Sequence, residues 1–305
     1  MENNNTAGIV RQLVYGSTPF SVGYSVLGKS PGLAESLLAL LIERCESQDG
    51  QQYAVPPTPY SVSLFTLPNG LYVFREIFDG WQDQVGRPSR VMRCAVIDAI
   101  SWDKLSGNPF LLPWLLPPIV RSLPRRRNEI RELAVLDLTQ LTVEQWESLW
   151  WQATRRFLHD VARLSAQEQA FLAYLQQLPV DTTCEIGTER ARLSLCQLLA
   201  YAMPVARRRQ LAFDSFALNS KPAEGICFRY RPYCTKPLAW PATDAPAPEK
   251  LPLAWLIQTV TYAMSEPLNF AIGARLVKRR QRQFTVGLVV MGLLAILGIL
   301  SRFFF

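Results

Sequence analysis

Few residues of this chain have side chains suited to catalysis or metal binding. There is a single histidine, His159, so a Cys–His or Ser–His pair would have to use it. It lies beside two arginines in a segment with helical periodicity, which favours a surface residue of a helix. A hydrolase of unfamiliar type that uses His159 is the alternative. The six cysteines form no CxxC pair, and together with one histidine they provide too few ligands for a typical zinc site. They are Cys45, Cys94, Cys184, Cys196, Cys227 and Cys234.

The known phosphate-binding and nucleophile motifs are missing from the sequence. It has no GxxxxGK[ST] loop, no GxGxxG after a predicted strand and no GxSxG elbow. Acidic residues are scattered, as Glu129 and Glu132 are, in the way typical of a solvated surface. We therefore expect no enzyme activity, no cofactor and no metal.

Two runs of arginine are candidate contacts for phosphate or for an acidic partner, since the guanidinium group binds both in a forked geometry. They are Arg125, Arg126 and Arg127, and Arg207, Arg208 and Arg209. Each run also adjoins a predicted segment boundary, where a solvated basic turn is the simpler interpretation. We favour the solvated turn and keep the first run as a possible partner contact.

The C-terminal segment, residues 284–305, predicts a transmembrane helix. Its first 17 residues carry no charge, and at about 1.5 Å per residue the whole segment would be roughly 33 Å long, close to the thickness of a bilayer. A basic collar directly precedes it, which favours a cytoplasmic position for the preceding body. The collar consists of Lys278, Arg279, Arg280 and Arg282. A buried helix at the end of a globular domain is the alternative, but no polar face is present.

The distribution of charge argues against nucleic acid as the partner. The net charge is +7, and residues 278–305 carry five basic residues and no acid, which leaves about +2 for the rest of the chain. The positive excess therefore suits anionic lipids. The chain opens with Met-Glu-Asn-Asn-Asn, which is not a secretory signal, and its cysteines have no disulfide pattern. We expect a body in the reducing cytoplasm.

Residues 9–100 predict an α+β unit of about five strands, mostly antiparallel because the connections are short. The predicted strands cover residues 9–15, 20–27, 60–67, 71–78 and 91–100. One helix is predicted after Ser30-Pro31-Gly32, with the serine as its cap and leucines at helical spacing. Asn69-Gly70 predicts a hairpin turn.

Residues 101–124 are rich in proline and large apolar side chains, and we expect them to pack irregularly against the sheet. Residues 130–138 fit a strand or a helix equally well. Thr142 and Gln145 have the spacing of a capping box, which predicts a helix with Trp146 and Leu149 on its apolar face. Further helices are predicted at 166–178 and 188–203. A strand is predicted at 211–218, with residues 226–230 as its partner.

These elements divide the chain into five parts. Residues 1–124 form the α+β domain, and residues 125–231 form a mainly helical domain with a short strand element. Residues 232–252 are a proline-rich linker. Residues 253–283 hold a short apolar helix at 253–264 and the basic collar, and residues 284–305 are the membrane anchor. The helix at 253–264 is too short to span a bilayer, so it docks on the body or lies in the interface.

The N-terminal part resembles the N-terminal domain of the bacterial GTPase-associated protein 1 family. The resemblance covers about residues 9–100 and rests on Leu13-Val-Tyr15-Gly-Ser17, on Gly23-Tyr24-Ser-Val26 with Lys29 to Leu33, and on Val85-Gly86-Arg87-Pro88. A weaker similarity to the family's middle region lies at 204–218. The resemblance implies a bacterial conflict system with a GTPase as partner. Tyr15, Ser17, Tyr24 and Arg87 join Arg125, Arg126 and Arg127 as possible partner contacts.

We therefore expect a membrane-tethered, non-catalytic adaptor or regulatory component of a GTPase-associated defence system. Its location would be the bacterial inner membrane, with one span and with the body in the cytoplasm. The alternative is a membrane effector whose C-terminal helices assemble and permeabilise the bilayer on activation.

Overall fold

The computed structural model describes residues 8–19, 23–49, 60–83, 86, 88–126, 128–146, 148–149, 152, 183–186, 196–197, 200, 203, 205–214 and 226–230. His159, the linker, the helix at 253–264, the basic collar and the span at 284–305 lie outside these residues, and so do the helix predicted at 166–178 and most of the one at 188–203. Within the described part, no helix is long and apolar enough to cross a membrane.

A single twisted layer of strands carries the fold. The strands are β1 (Ile9–Gly16), β2 (Ser25–Lys29), β3 (Tyr60–Thr66), β4 (Tyr72–Gln82), β5 (Pro88–Ile97), β6 (Arg131–Glu132), β7 (Leu136–Asp137), β8 (Thr183–Ile186), β9 (Leu211–Asp214) and β10 (Ile226–Tyr230). The α-helices are α1 (Glu35–Asp49), α2 (Ala99–Lys104), α3 (Leu112–Leu115) and α4 (Val205–Arg208), and 3-10 turns cover Pro109–Leu111 and Ile119–Ser122.

The strands follow the order β6-β2-β1-β5-β4-β3-β9-β10-β8, with β7 paired to the start of β1. Within the five strands from β2 to β3 in this order, each pair of adjacent strands is antiparallel. The outer pairs β2–β6, β9–β10 and β10–β8 are parallel. The predicted α+β class and the antiparallel five-stranded unit are therefore confirmed.

The hairpin between β3 and β4 forms at the predicted Asn69-Gly70. Gly70 has a φ of 78°, which a glycine adopts without steric cost, and the Leu67 amide donates to the Leu71 carbonyl at 2.8 Å. The Asn69 side chain accepts a hydrogen bond from the Leu71 amide at 3.3 Å. Local turn chemistry thus fixes the register of both strands.

Helix α1 begins at Glu35 rather than after Ser30, so the predicted serine cap is wrong. The Ser30 hydroxyl instead accepts a hydrogen bond from the Gln12 amide at 2.9 Å, which ties the end of β2 to β1. Of the leucines predicted at helical spacing, Leu33 and Leu41 are buried, whereas Leu37 and Leu40 are half-buried. Leu38, Leu41 and Cys45 are buried against the sheet, in one cluster with Leu13 and Ile77.

Residues 101–124 cover the opposite face of the sheet with short helical turns, as the sequence predicts. The Trp102 ring stacks on Tyr72 with 4.1 Å between centroids. The Phe110 ring lies 5.3 Å from Phe74 and 5.3 Å from Phe213. Neighbouring residues of a strand point to opposite faces, so Val73 packs under α1 while Phe74 meets Phe110. Trp114, in contrast, is exposed.

Residues 130–138 contain two short strands, β6 and β7, which settles the alternative between strand and helix. The capping box is confirmed. The Thr142 amide donates to Gln145 Oε1 at 2.8 Å, and the Gln145 amide donates to Thr142 Oγ1 at 3.3 Å. Residues 143–146 are helical, and the side chains of Trp146 and Leu149 are buried.

The strands after residue 180 extend the N-terminal sheet. Strand β9 pairs with β3 through Ser63–Asp214 and Leu64–Phe213, and β10 pairs with β9 as predicted. Strand β8 was not predicted. The sheet therefore runs across the boundary placed at residue 124, although the five-part division of the chain stays a prediction.

Candidate functional site

Three separate segments meet at one end of β1, where they form what we term the corner. The Ser89 hydroxyl donates to the Ser17 carbonyl at 3.1 Å, and the Ser17 amide approaches the Arg90 carbonyl at 3.4 Å. The Tyr24 hydroxyl accepts from the Arg90 amide at 3.0 Å, and its ring lies 6.0 Å from that of Tyr15. Segments that are far apart in sequence thus converge in space at Ser17, Tyr24 and Arg90.

Gly16 allows this convergence. A Cβ atom at this position would lie 2.5 Å from the Arg90 carbonyl oxygen and 2.9 Å from the Val91 Cα. Both neighbours are backbone atoms of β5, the strand that pairs with β1, so neither can move without disturbing the ladder. Only glycine permits β1 and β5 to approach so closely at this end.

The corner buries several polar side chains. Those buried at this end of the sheet are Ser17, Thr18, Asp83, Ser89 and Arg90. The Ser17 side chain is 1% exposed, and its hydroxyl has no hydrogen-bond partner among the described residues. An unsatisfied buried hydroxyl costs free energy, so a group that supplied its missing hydrogen bond would be stabilised here.

The structure brings together three of the predicted partner contacts, Tyr15, Ser17 and Tyr24. Tyr15 and Ser17 are buried, so a partner can contact the corner only through its outer residues, which include the half-buried Tyr24. Arg125 and Arg126 are exposed, and no hydrogen bond or ion pair between described residues joins them to the corner. Arg87 and Arg127 lie outside the described residues.

A buried ion pair that the sequence did not reveal occupies the middle of the sheet. Glu76 on β4 accepts from Arg93 Nε at 2.6 Å and from the Tyr60 hydroxyl at 2.8 Å. Arg93 Nη1 also donates to the Pro117 carbonyl at 2.6 Å. Both Glu76 oxygens are therefore engaged, and the carboxylate links β3, β4 and β5. Arg93 joins these strands to the segment that contains Pro117.

The tyrosine of this cluster is held in its neutral form. Burial, then the negative charge of Glu76 and the hydrogen bond to it, raise the pKa of Tyr60 well above its usual range. The native state therefore keeps a proton that the unfolded chain releases near pH 10. Since the unfolded state then binds fewer protons, the free energy of unfolding falls as the pH rises above about 10.

Replacing Tyr60 with phenylalanine tests this dependence. We expect the variant to be less stable at neutral pH by about 1 kcal/mol, because Glu76 loses a hydrogen bond. Above about pH 10, its free energy of unfolding should fall less steeply than that of the wild type, by up to about 1.4 kcal/mol per pH unit. Urea denaturation at a series of pH values measures both effects. Parallel slopes for the two proteins would contradict the assignment.

A second polar cluster lies on the other face of β4, under α1. Arg75 donates from Nη1 to the Arg44 carbonyl at 3.0 Å and from Nη2 to the Ser63 hydroxyl at 2.8 Å. The Ser63 hydroxyl in turn donates to Asp214 on β9 at 3.2 Å, and Arg75 lies 3.9 Å from the same carboxylate. A buried arginine thus joins α1, β3, β4 and β9.

Beside Arg75, the thiols of Cys45 and Cys94 lie 3.8 Å apart and are buried. The hydrogen bond between them and their burial raise the pKa of Cys94, which keeps the thiol protonated and unreactive. Cys45, Cys94 and Cys196 are free cysteines, as the sequence predicts. Within the described residues, no three His, Cys, Asp or Glu side chains are grouped so that they could hold a metal ion.

The second arginine run was expected to be a solvated turn, and for its middle member this is wrong. Arg208 is fully buried, donating from Nε to the Met203 carbonyl at 2.7 Å and from Nη1 to the Ser106 carbonyl at 2.7 Å. Its neighbour Arg209 is exposed and pairs with Asp103 at 2.6 Å. Arg208 therefore ties the chain before β9 to the turn after α2.

Comparisons with known proteins give no match for this chain. No family model matches the sequence, and a search of curated proteins gives no match either. The interpretation of the corner therefore depends on its geometry.

Proposed function

We propose that this chain is a membrane-tethered, non-catalytic adaptor or regulatory component of a bacterial conflict system, whose α+β body binds a GTPase. The observation that carries the proposal is the corner, where the segments around Tyr15 and Tyr24 meet Ser89 and Arg90, which directly follow the third segment of the expected resemblance. Its polar side chains are buried at one end of the sheet, next to the apolar cluster under α1. Such a sheet end, held by a rigid scaffold, is the kind of place where binding residues are commonly found.

The buried charges described in the centre of the sheet support a scaffold role for that region. Glu76 and Arg93 bind each other, and Arg75 binds Ser63 and a backbone carbonyl. Groups engaged in this way fix the strands relative to one another. The recognition that we propose therefore belongs to the outer residues of the corner, of which Tyr24 is the first to test. Arg87, which the family resemblance singles out, is tested with it.

A pull-down from detergent extract of cells that express the full chain tests the proposal. We expect a GTPase encoded nearby to be recovered with the wild type. Arg87→Glu should reduce the recovery at least tenfold, because a reversed charge in an interface costs several kcal/mol. Arg44→Glu is the matched control, since Arg44 is an exposed residue of α1 outside the corner, and its recovery should equal that of the wild type.

Failure to recover a GTPase, whether nucleotide is present or absent, would refute the partner.

The tether is tested separately by cell fractionation. Deletion of residues 278–305 should release the chain into the soluble fraction, and continued membrane association would instead point to the helix predicted at 253–264. Expression of the full chain with a membrane-potential dye distinguishes the effector alternative, which predicts depolarisation, from the adaptor, which predicts none.

A further inference from the structure

The segment between α2 and β6 holds three large apolar side chains in solvent. Trp114 is 53% exposed and Val120 is 66% exposed, and Ile130 at the end of the segment is exposed as well. The same segment buries six large apolar side chains, which fixes its position. These are Leu105, Phe110, Leu111, Leu112, Leu116 and Leu123.

Hydrogen bonds keep Trp114 and Val120 in place. The Leu116 amide donates to the Leu112 carbonyl at 2.8 Å, which closes the turn that carries Trp114. Arg93 Nη1 donates to the Pro117 carbonyl, and the Arg121 amide donates to the Pro118 carbonyl at 2.9 Å, around Val120. The exposure of Trp114 and Val120 is thus built into the fold, and it leaves apolar surface uncovered at a defined place.

The segment that carries these side chains is rich in basic residues. No acidic residue occurs between Asp103 and Glu129, whereas Lys104, Arg121 and Arg125 to Arg127 fall in this interval. Glu129, the acid that follows, accepts from the Arg125 and Arg126 amides at 2.7 and 3.0 Å and from Arg131 Nη1 at 3.0 Å. Its carboxylate is therefore committed to the backbone and to Arg131.

The guanidinium groups of the same segment are not engaged in this way. Arg121, Arg125 and Arg126 are exposed, and none of them pairs with a carboxylate in the part of the chain that the structure describes. Unpaired guanidinium groups in the same segment as an exposed indole are suited to a surface that offers phosphate groups above an apolar layer. Arginine binds phosphate with two parallel hydrogen bonds, and tryptophan prefers the interface between water and hydrocarbon.

We propose that this basic–aromatic face, made of Trp114, Val120, Arg121, Arg125 and Arg126, rests on a bilayer that contains anionic lipids. The inference rests on the proposed tether, because one span at the C-terminus holds the body near the membrane without setting its orientation. Lipid contact through this face would set the orientation of the body. Helix α1 packs on the opposite face of the sheet, so α1 would point away from the bilayer.

Photo-crosslinking of the full chain tests the proposal. Trp114 is replaced by p-benzoylphenylalanine, and the chain is reconstituted into vesicles of phosphatidylcholine with phosphatidylglycerol. We expect an adduct between this residue and a lipid, detected by mass spectrometry. The same label at Ala39, which is exposed on α1, should give no lipid adduct.

The charge requirement is tested in the same vesicles. Changing Arg121, Arg125 and Arg126 to glutamine should lower the lipid adduct at Trp114 roughly tenfold or more, since each basic residue contributes about a fivefold gain in affinity for an anionic surface. Vesicles of phosphatidylcholine alone should show a similar loss. Equal adducts at positions 114 and 39, or a yield unaffected by the arginines, would overturn the proposal.

Other occupants of the face give different products. In native membranes, an adduct with a protein or with a second copy of the chain, in place of lipid, would also overturn the proposal. These results are independent of the tether, which fractionation tests. If the full chain proved soluble, the label would be tested with added vesicles of the same two compositions, and the absence of a lipid adduct would again refute lipid contact.

Discussion

Replacing Glu76 with glutamine is expected to lower the free energy of unfolding by about 3–5 kcal/mol. The substitution barely changes the shape of the side chain, but it leaves the guanidinium group of Arg93 without a counter-charge. That group is 4% exposed, so water cannot solvate it in place of the carboxylate. Urea denaturation of the full chain in detergent, followed by near-UV circular dichroism, measures the loss.

Two further variants separate the cost of an unpaired charge from the loss of a contact. Glu35→Gln removes the acid of the exposed pair with Lys29, whose atoms are 3.1 Å apart, and should change stability little. The double variant Glu76→Leu with Arg93→Met removes both buried charges and should recover much of the loss. A Glu76→Gln protein as stable as Glu35→Gln would show that Arg93 is solvated in the native state.

Replacing Arg208 with alanine is expected to lower the free energy of unfolding by about 3–5 kcal/mol. The carbonyls of Met203 and Ser106 would each lose a donor, and each unsatisfied buried carbonyl costs about 1–3 kcal/mol. The side chain beyond Cβ also fills space against Gly107, where an added Cβ atom would lie 3.2 Å from the Arg208 Cδ. Unfolding in urea again provides the measurement.

The adjacent residue is the control for this prediction. Arg209→Ala removes the same type of side chain from an exposed ion pair with Asp103, and should cost less than about 1 kcal/mol. Arg208→Lys keeps the charge but provides one nitrogen where two are used, so an intermediate loss is expected. Equal effects of alanine at positions 208 and 209 would contradict the structural role of Arg208.

What the sequence predicted correctly depends on short-range physics. The hairpin at Asn69-Gly70 and the capping box of Thr142 with Gln145 each involve residues within a few positions of one another. The strands β1, β3, β4 and β5 follow from apolar runs between turn residues.

The features that were missed depend on contacts between distant parts of the chain. Nothing in the sequence around Ser63 indicates that β9, about 150 residues later, completes its side of the sheet. Arg75 and Glu76 interrupt an apolar strand, and charged residues in a strand usually face solvent. Here both are buried, because partners from other strands and from the segment above satisfy them.

The pairing of β9 with β3 has a consequence during synthesis on the ribosome. When β3 has emerged, its partner β9 is still about 145 residues from being translated, which takes roughly 7–30 s at usual rates of elongation. Throughout that interval, the side of β3 that β9 will cover has open backbone donors and acceptors beside buried-type side chains such as Leu64. An open strand edge readily pairs with another nascent chain. The newly made protein therefore depends on protection of this edge until residue 214 leaves the exit tunnel.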